Sequence, residues 1–297
     1  MYYNPEARKA IKNEAKGKVL GQFWPAMLAC AVCRLPSLLI GVLLPLAGVL
    51  ELAEQIRLLA EDSAVSLPRI QALAGALWSR MMLVALLITV FDLLLTGPLY
   101  MGLRNYWIKL YRGGIPTLSE TVGCFASGAA YGRAFLTNLW IHLRWLGWML
   151  LLLPSVLLLG MLMQAGAFLT VLGVIAYFVL VIWIWVKVQT YDGAYNFLHD
   201  TPEMPPREAV RLAGILFRGR LWELLVFLLS FLGWVLLLSL PGYALSYLGY
   251  NTLGTLVDFA LGLFLIAYQG TAFAGYVDAI WASDLPEDGA PGAPDQI

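Results

Sequence analysis

The chain has 297 residues, 60% of them hydrophobic and 13% charged, with 19 basic and 19 acidic side chains and a net charge of zero. Soluble domains carry about 25% charged residues, so this composition excludes an ordinary soluble globule, and the charge balance excludes a global basic field for nucleic acid. A mean hydropathy of +0.75, with 11 Trp and 14 Tyr, residue types that collect at bilayer interfaces, points to a multi-pass membrane protein.

Residues 5–18 place Ala7, Ala10, Ile11 and Ala15 at helical spacing among Arg8, Lys9, Lys12 and Lys16. That pattern suits a basic helix lying on an anionic leaflet. It is not a cleavable signal, because the apolar run that follows is far longer than a signal core. The first span is expected over 22–49, bent by Pro25, Pro36 and Pro45, with Arg34 near its middle. Cys30 and Cys33 form a C-x-x-C inside this run, without the strand and helix setting of a redox motif, and read as small packing residues. Residues 51–70 are polar and form an exposed connection. A second span follows over 77–103, containing Asp92 and closing near Gly97-Pro98.

The polar segment 104–133 holds Cys124, a lone thiol, and a short helix that Pro116 and Ser119 can start. The third span, 135–163, contains His142, Arg144 and Pro154; the fourth, 168–188, is separated from it by Gln164–Ala167 alone, so the two pair as an antiparallel hairpin. After a loop carrying Asp200 and Glu203, read as solvated acids, Pro205 and Pro206 open an amphipathic helix. The hinge Arg218-Gly219-Arg220 then feeds the fifth span, 221–240. Pro241-Gly242 and the following SYLGYN are read as an uncharged turn into the sixth span, 252–276, which contains Asp258 and Gln269. A Pro/Gly-rich acidic tail, 284–297, has the composition of a disordered segment.

The fold class expected is therefore all-α: a single membrane domain over 1–283, a polytopic bundle of six transmembrane helices with amphipathic elbow helices. Lys and Arg set its orientation. They crowd the N-terminal segment and the 2–3 and 4–5 loops, which places those loops and both termini in the cytoplasm. The elbow design recurs at Gly17-Lys18 before Phe23-Trp24, at Gly132-Arg133 before Phe135, and at Gly219-Arg220 before Trp222. Either the chain repeats a helical hairpin three times, or every cytoplasmic entry into a bilayer carries these residues.

Ionisable residues inside spans are costly and pair with one another or face a polar cavity. At about 1.5 Å of rise per residue, Arg34 and Asp258 reach similar depths, as do Arg144 and Asp92, which makes Arg34–Asp258 and Arg144–Asp92 the level pairs. They either fix helix register as ion pairs or line a polar cavity with His142 and Gln269; a lone arginine snorkelling to the interface is the third reading. No P-loop, H-E-x-x-H or G-x-S-x-G occurs, and two histidines are too few for a His-rich metal site. The expectation is a protein that is not an enzyme and has no cofactor and no metal. Its partners are membrane lipids, anionic ones contacted by Arg8, Lys9, Lys12, Lys16, Arg133, Arg218 and Arg220, or a membrane protein, and no nucleic acid. A solute permease with a central polar site, or a membrane subunit of an exporter, are the rivals.

A set of short motifs carries a family resemblance: Gly97-Pro98-Leu99 with Gly102, Arg112-Gly113, Tyr191, Tyr195, Leu198 to Pro202, Glu208-Ala209, Arg218-Gly219, and Leu229-Ser230-Phe231-Leu232-Gly233-Trp234. In their order and spacing the chain resembles the bacterial membrane proteins of domain-of-unknown-function family 975, from the basic N-terminal helix to about Trp281. One departure follows Pro154. The family runs from a Pro-Gly-Ile turn quickly to its tyrosine, whereas here Ser155 and a full hairpin length intervene. The resemblance implies a six-helix protein of the bacterial cytoplasmic membrane and no particular activity. The layout is also similar to membrane regions attached to some glycerophosphodiester phosphodiesterases, an analogy of fold that hints at lipid-facing roles.

Overall fold

The computed structural model describes residues 5–46, 48, 51, 54–55, 57–58 and 67–284. The connection expected over 51–70 lies mostly outside these residues, and the tail after Asp284 lies wholly outside them. All regular structure among the described residues is helical. In chain order the helices are α1 (Pro5–Gly21), α2 (Phe23–Leu46), α3 (Leu67–Phe91), α4 (Gly97–Tyr111), α5 (Leu118–Val122) and α6 (Gly128–Met149). They continue as α7 (Leu152–Ala165), α8 (Ala167–Gln189), α9 (Ala194–Asp200), α10 (Pro206–Leu216), α11 (Leu221–Leu229), α12 (Leu232–Tyr247) and α13 (Asn251–Asp284).

Five stretches are long and apolar enough to cross a membrane: Gln71–Tyr111, Gly128–Ala165, Ala167–Asp200, Leu221–Tyr247 and Asn251–Ser283. A sixth exists if Pro5–Gly21 and Phe23–Pro36 count as one span, broken by a bend of 93°. That bend is at Gln22, not at the prolines. Pro25 falls in the first turn of α2, where its missing N–H breaks no bond, and α2 runs helical through Pro36 and Pro45.

Prolines explain two other departures. Between α3 and α4, residues Asp92–Thr96 form a π-helical turn. Pro98 has no N–H to give the carbonyl of Leu94, and the Tyr131 hydroxyl donates to that oxygen instead at 2.9 Å. Pro241 was expected in a turn but sits inside α12, which continues to Tyr247; the reversal is at Leu248–Tyr250, around Gly249 at φ +90°. Transmembrane helices tolerate such a proline when neighbours support the backbone. Here α13 lies close enough that a Cβ on Gly242 would fall 1.9 Å from Asp258 Oδ1.

The expected hairpin is present. Only Gly166 separates α7 from α8, at φ 132°, and a Cβ on Gly173 would meet Leu159 and Leu162 of the opposing helix. The elbow glycines behave differently from one another. Gly219 takes φ +81° between α10 and α11, whereas Gly17 and Gly132 are helical residues within α1 and α6.

Large buried side chains concentrate at one end of the long helices. Ile11, Ala15, Phe217, Phe227, Phe231, Tyr268, Phe273 and Ile280 form one cluster. Val19, Cys30, Leu103, Tyr106, Trp107 and Ala267 form a second, and Ile141, Tyr191, Tyr195, Phe197, Val210 and Ala213 a third. Both amphipathic helices therefore turn their apolar stripes into protein: Ile11, Ala15 and Val19 from α1, and Ala209, Val210 and Ala213 from α10.

Candidate functional site

Between α2, α4, α8, α11 and α13 lies a half-open cavity of about 340 Å³. Tyr100, Trp107, Trp185, Phe227, Phe231 and Phe273 supply aromatic wall, and Arg34, Arg104, Gln189 and Gln269 supply the polar groups. Each arrives from the same local logic: α4, α8 and α13 carry an aromatic or amide on the face that also carries their buried stripe.

Arg104 is the electrostatic centre of the wall. It is 6% exposed, its Nη2 contacts both the Tyr100 hydroxyl and Asp192, and Tyr100 in turn donates to Asp192 at 3.1 Å. Its guanidinium lies 4.8 Å from the Tyr100 ring centre, 5.2 Å from that of Trp107 and 5.0 Å from that of Phe273, a cation–π cage. Asp192 thus neutralises the buried charge, yet Arg104 Nε has no hydrogen-bond partner. Arg34, by contrast, is exposed at the cavity, and among the described residues it makes no hydrogen bond and no ion pair. The amides of Gln189 and Gln269 likewise have no hydrogen-bond partner among the described residues.

A family model described as a protein of unknown function, DUF975, matches residues 1–283. The chain belongs to that family. No curated protein and no solved structure matches it.

The intramembrane charges of this DUF975 chain are arranged differently from the level pairs expected. Asp92 Oδ2 lies 2.9 Å from His142 Nε2, and His142 Nδ1 lies 2.9 Å from the Asn138 carbonyl. Both ring nitrogens thus face oxygen atoms. Arg144 does not meet Asp92. Its Nη1 donates to the Val210 carbonyl at 2.9 Å and its guanidinium sits 5.2 Å from the Tyr191 ring centre, which ties α6 to α10. Asp258 is packed on Gly242 and makes no ion pair with Arg34. Of the expected polar set, the cavity gathers Arg34 and Gln269; Asp92, His142, Arg144 and Asp258 do not line it.

The basic residues expected on lipid also divide. Lys12 Nζ donates to the carbonyl and hydroxyl of Ser230 at 3.0 and 3.1 Å, closing the C-terminal end of α11, and Lys16 lies 5.0 Å from the Trp234 ring centre. Lys9 and Arg218 are exposed, while Arg8, Arg133 and Arg220 are half-buried. Asp200 is exposed, as expected, but it is also paired: Arg112 takes Asp200 on one side and Asp278 on the other, with Nε and Nη2 at 2.9 and 2.8 Å from the latter. Hydrogen bonds donated to Asp278 and Asp200 hold the Arg112 guanidinium above its ordinary range. Among the described residues no group of three potential metal ligands forms. Cys30 and Cys33 are buried, with the Cys33 thiol donating to the Leu99 carbonyl at 3.3 Å. Burial pushes the Cys124 thiol up to about 11, which removes its nucleophilic form at neutral pH.

Sequence reading missed Arg104 and Asp192 because both are adjacent to segment ends and read as loop charges. A signal was present: Tyr195 stands three residues after Asp192, and Tyr100 and Trp107 stand four before and three after Arg104, a spacing that puts an aromatic one helical turn from each charge.

Proposed function

We propose that this protein is a non-enzymatic, multi-pass component of the bacterial cytoplasmic membrane, its N-terminus and basic loops in the cytoplasm, that binds an amphiphilic lipid-like ligand in the cavity between α2, α4, α8, α11 and α13. The observation that carries the reading is the composition of that cavity: apolar and aromatic walls with a few convergent polar groups, the general character of a ligand pocket. The amphipathic helices support it indirectly. Their apolar faces are filled by protein, so the lipid contact expected of them has to be sought elsewhere, and the cavity offers it. A permease built around Arg34, Asp92, Arg144 and Asp258 has less support, because those four do not converge.

Native mass spectrometry of the protein released from native-membrane nanodiscs tests the reading. An amphiphile retained at fixed stoichiometry in wild type and lost in Leu228→Trp, which fills the cavity at a lining position, is the expected result. Retention unaffected by that substitution would refute it.

A further inference from the structure

We infer that the ligand of this cavity carries one net negative charge on an oxyanion head, seated against Arg34, while its chain or chains lie outside on the apolar surface. The inference rests on the cavity being a ligand site and adds the charge and shape of what enters it.

The charge follows from a count over the walls. The charged side chains that line the cavity are Arg34 and Arg104. Asp192 compensates Arg104 through a direct ion pair, and nothing among the described residues compensates Arg34. The walls therefore offer one unbalanced positive charge. A neutral or zwitterionic head leaves it unsatisfied, and a dianion replaces it with an uncompensated negative one, a costly change in a partly desolvated site.

The donor inventory points the same way. Guanidinium groups carry N–H donors and no acceptor, and each glutamine amide adds two donors against one carbonyl acceptor. Arg34, Gln189 and Gln269 are without hydrogen-bond partners among the described residues, and Arg104, which is more than nine-tenths buried and lines the same cavity, has an Nε–H with no partner. A surplus of donors around one positive charge is matched by a phosphodiester or a carboxylate, both of which accept several hydrogen bonds and suit the planar fork of arginine.

Size separates head from tail. Pockets for small molecules run from about 300 to 1,000 Å³, so about 340 Å³ takes a polar head and the first part of a chain. Trp185, at 45% exposure, lines the cavity and also belongs to the outward apolar face of α8, and Leu229, at 51%, adjoins Leu228 on α11. A chain leaving the cavity meets hydrocarbon surface at once.

The test uses the full chain in an uncharged detergent, with three probes of matched chain length: a phosphatidylglycerol, a phosphatidylcholine and a free fatty acid. Wild type should bind the phosphatidylglycerol about tenfold or more tighter than the phosphatidylcholine, the scale of one charge-assisted hydrogen-bonded contact. Arg34→Gln should erase that preference without shifting the ligand-free melting temperature, since Arg34 is exposed and makes no hydrogen bond or ion pair among the described residues, and Arg34→Lys should restore part of it. The fatty acid separates the two sources of the oxyanion: competition equal to that of phosphatidylglycerol makes a carboxylate sufficient, and failure to compete makes the phosphodiester the ligand. Equal binding of the phosphatidylglycerol and the phosphatidylcholine, both lost in Leu228→Trp, would overturn the charge inference and leave the cavity as a lipid site. Binding of neither lipid, or of both unchanged in Leu228→Trp, would overturn the cavity reading itself.

Discussion

Residues 97–111, 184–198 and 263–280 bury Tyr, Trp, Phe and Ile against one another, whereas residues 143–183 and 232–260, in the same helices or their neighbours, present Leu, Val, Ile and Phe outward. In the second region the buried residues are Gly173, Gly242 and Gly254. Close contact there is made at glycines: a Cβ on Gly254 would lie 2.6 Å from the Gly242 carbonyl oxygen, and one on Gly173 would meet the Leu159 and Leu162 side chains. The contrast separates two ways of holding helices together. The first region uses large side chains, ion pairs and cation–π contacts, as a water-soluble core does. The second uses small residues at close approach, as helices do when hydrocarbon solvates their outer faces and no hydrophobic gain comes from burying them.

Substitutions in each region sharpen that contrast. The largest effect is expected from Asp192→Ala. It leaves the Arg104 guanidinium buried without a counter-charge and should cost about 3–5 kcal/mol, read by denaturant or thermal unfolding in detergent; a cost near zero would mean that water reaches Arg104. Next, Gly242→Leu forces α12 away from α13 and should cost about 1–3 kcal/mol, while Gly160→Leu, whose Cβ meets nothing within 4 Å, should stay within about 0.5 kcal/mol. Equal effects at the two glycines would dissolve the distinction between a contact face and a lipid face.

The smallest effect concerns Glu14. Its carboxyl is held below the ordinary carboxylate range, first by Lys18 and then by the Tyr111 hydroxyl. Because the folded state favours the ionised form, the contribution is present above the ordinary value of about 4.3 and is lost as the pH falls through the lower folded value. The melting temperatures of wild type and Glu14→Gln should differ at pH 6 and draw together as the pH falls below the ordinary carboxylate value.

Apolar run length was enough to find the five long apolar helices, and the turn at 164–167 and the amphipathic pattern at 206–216 were readable because each is a local property of a few residues. The fate of the charges was not local. Arg104 and Asp192 stand 88 residues apart in the chain, and no periodicity links them. Depth arithmetic paired Asp92 with Arg144 because it treats helices as level rods, whereas the π-helical turn at Asp92–Thr96 rotates Asp92 toward His142. Pro241 misled for a related reason: in water a proline at that position ends a helix, and close approach of α13 at Gly242 keeps this one going.

The seat of α1 bears on the order in which the molecule can assemble. Ile11 and Ala15 pack in one cluster with Tyr268, Phe273, Val277 and Ile280, and Lys12 and Lys16 reach Ser230 and Trp234. A segment made early in synthesis thus has its partners among helices made last, and contacts of such long sequence separation close late. While the intervening spans insert, α1 has no protein surface to cover its apolar stripe, and the leaflet below it, which favours basic amphipathic helices, is the natural place for it to wait. The same pattern of Arg and Lys that reads as a membrane anchor in the sequence would then serve the nascent chain, and in the finished one Lys12, Lys16 and Lys18 hold protein instead.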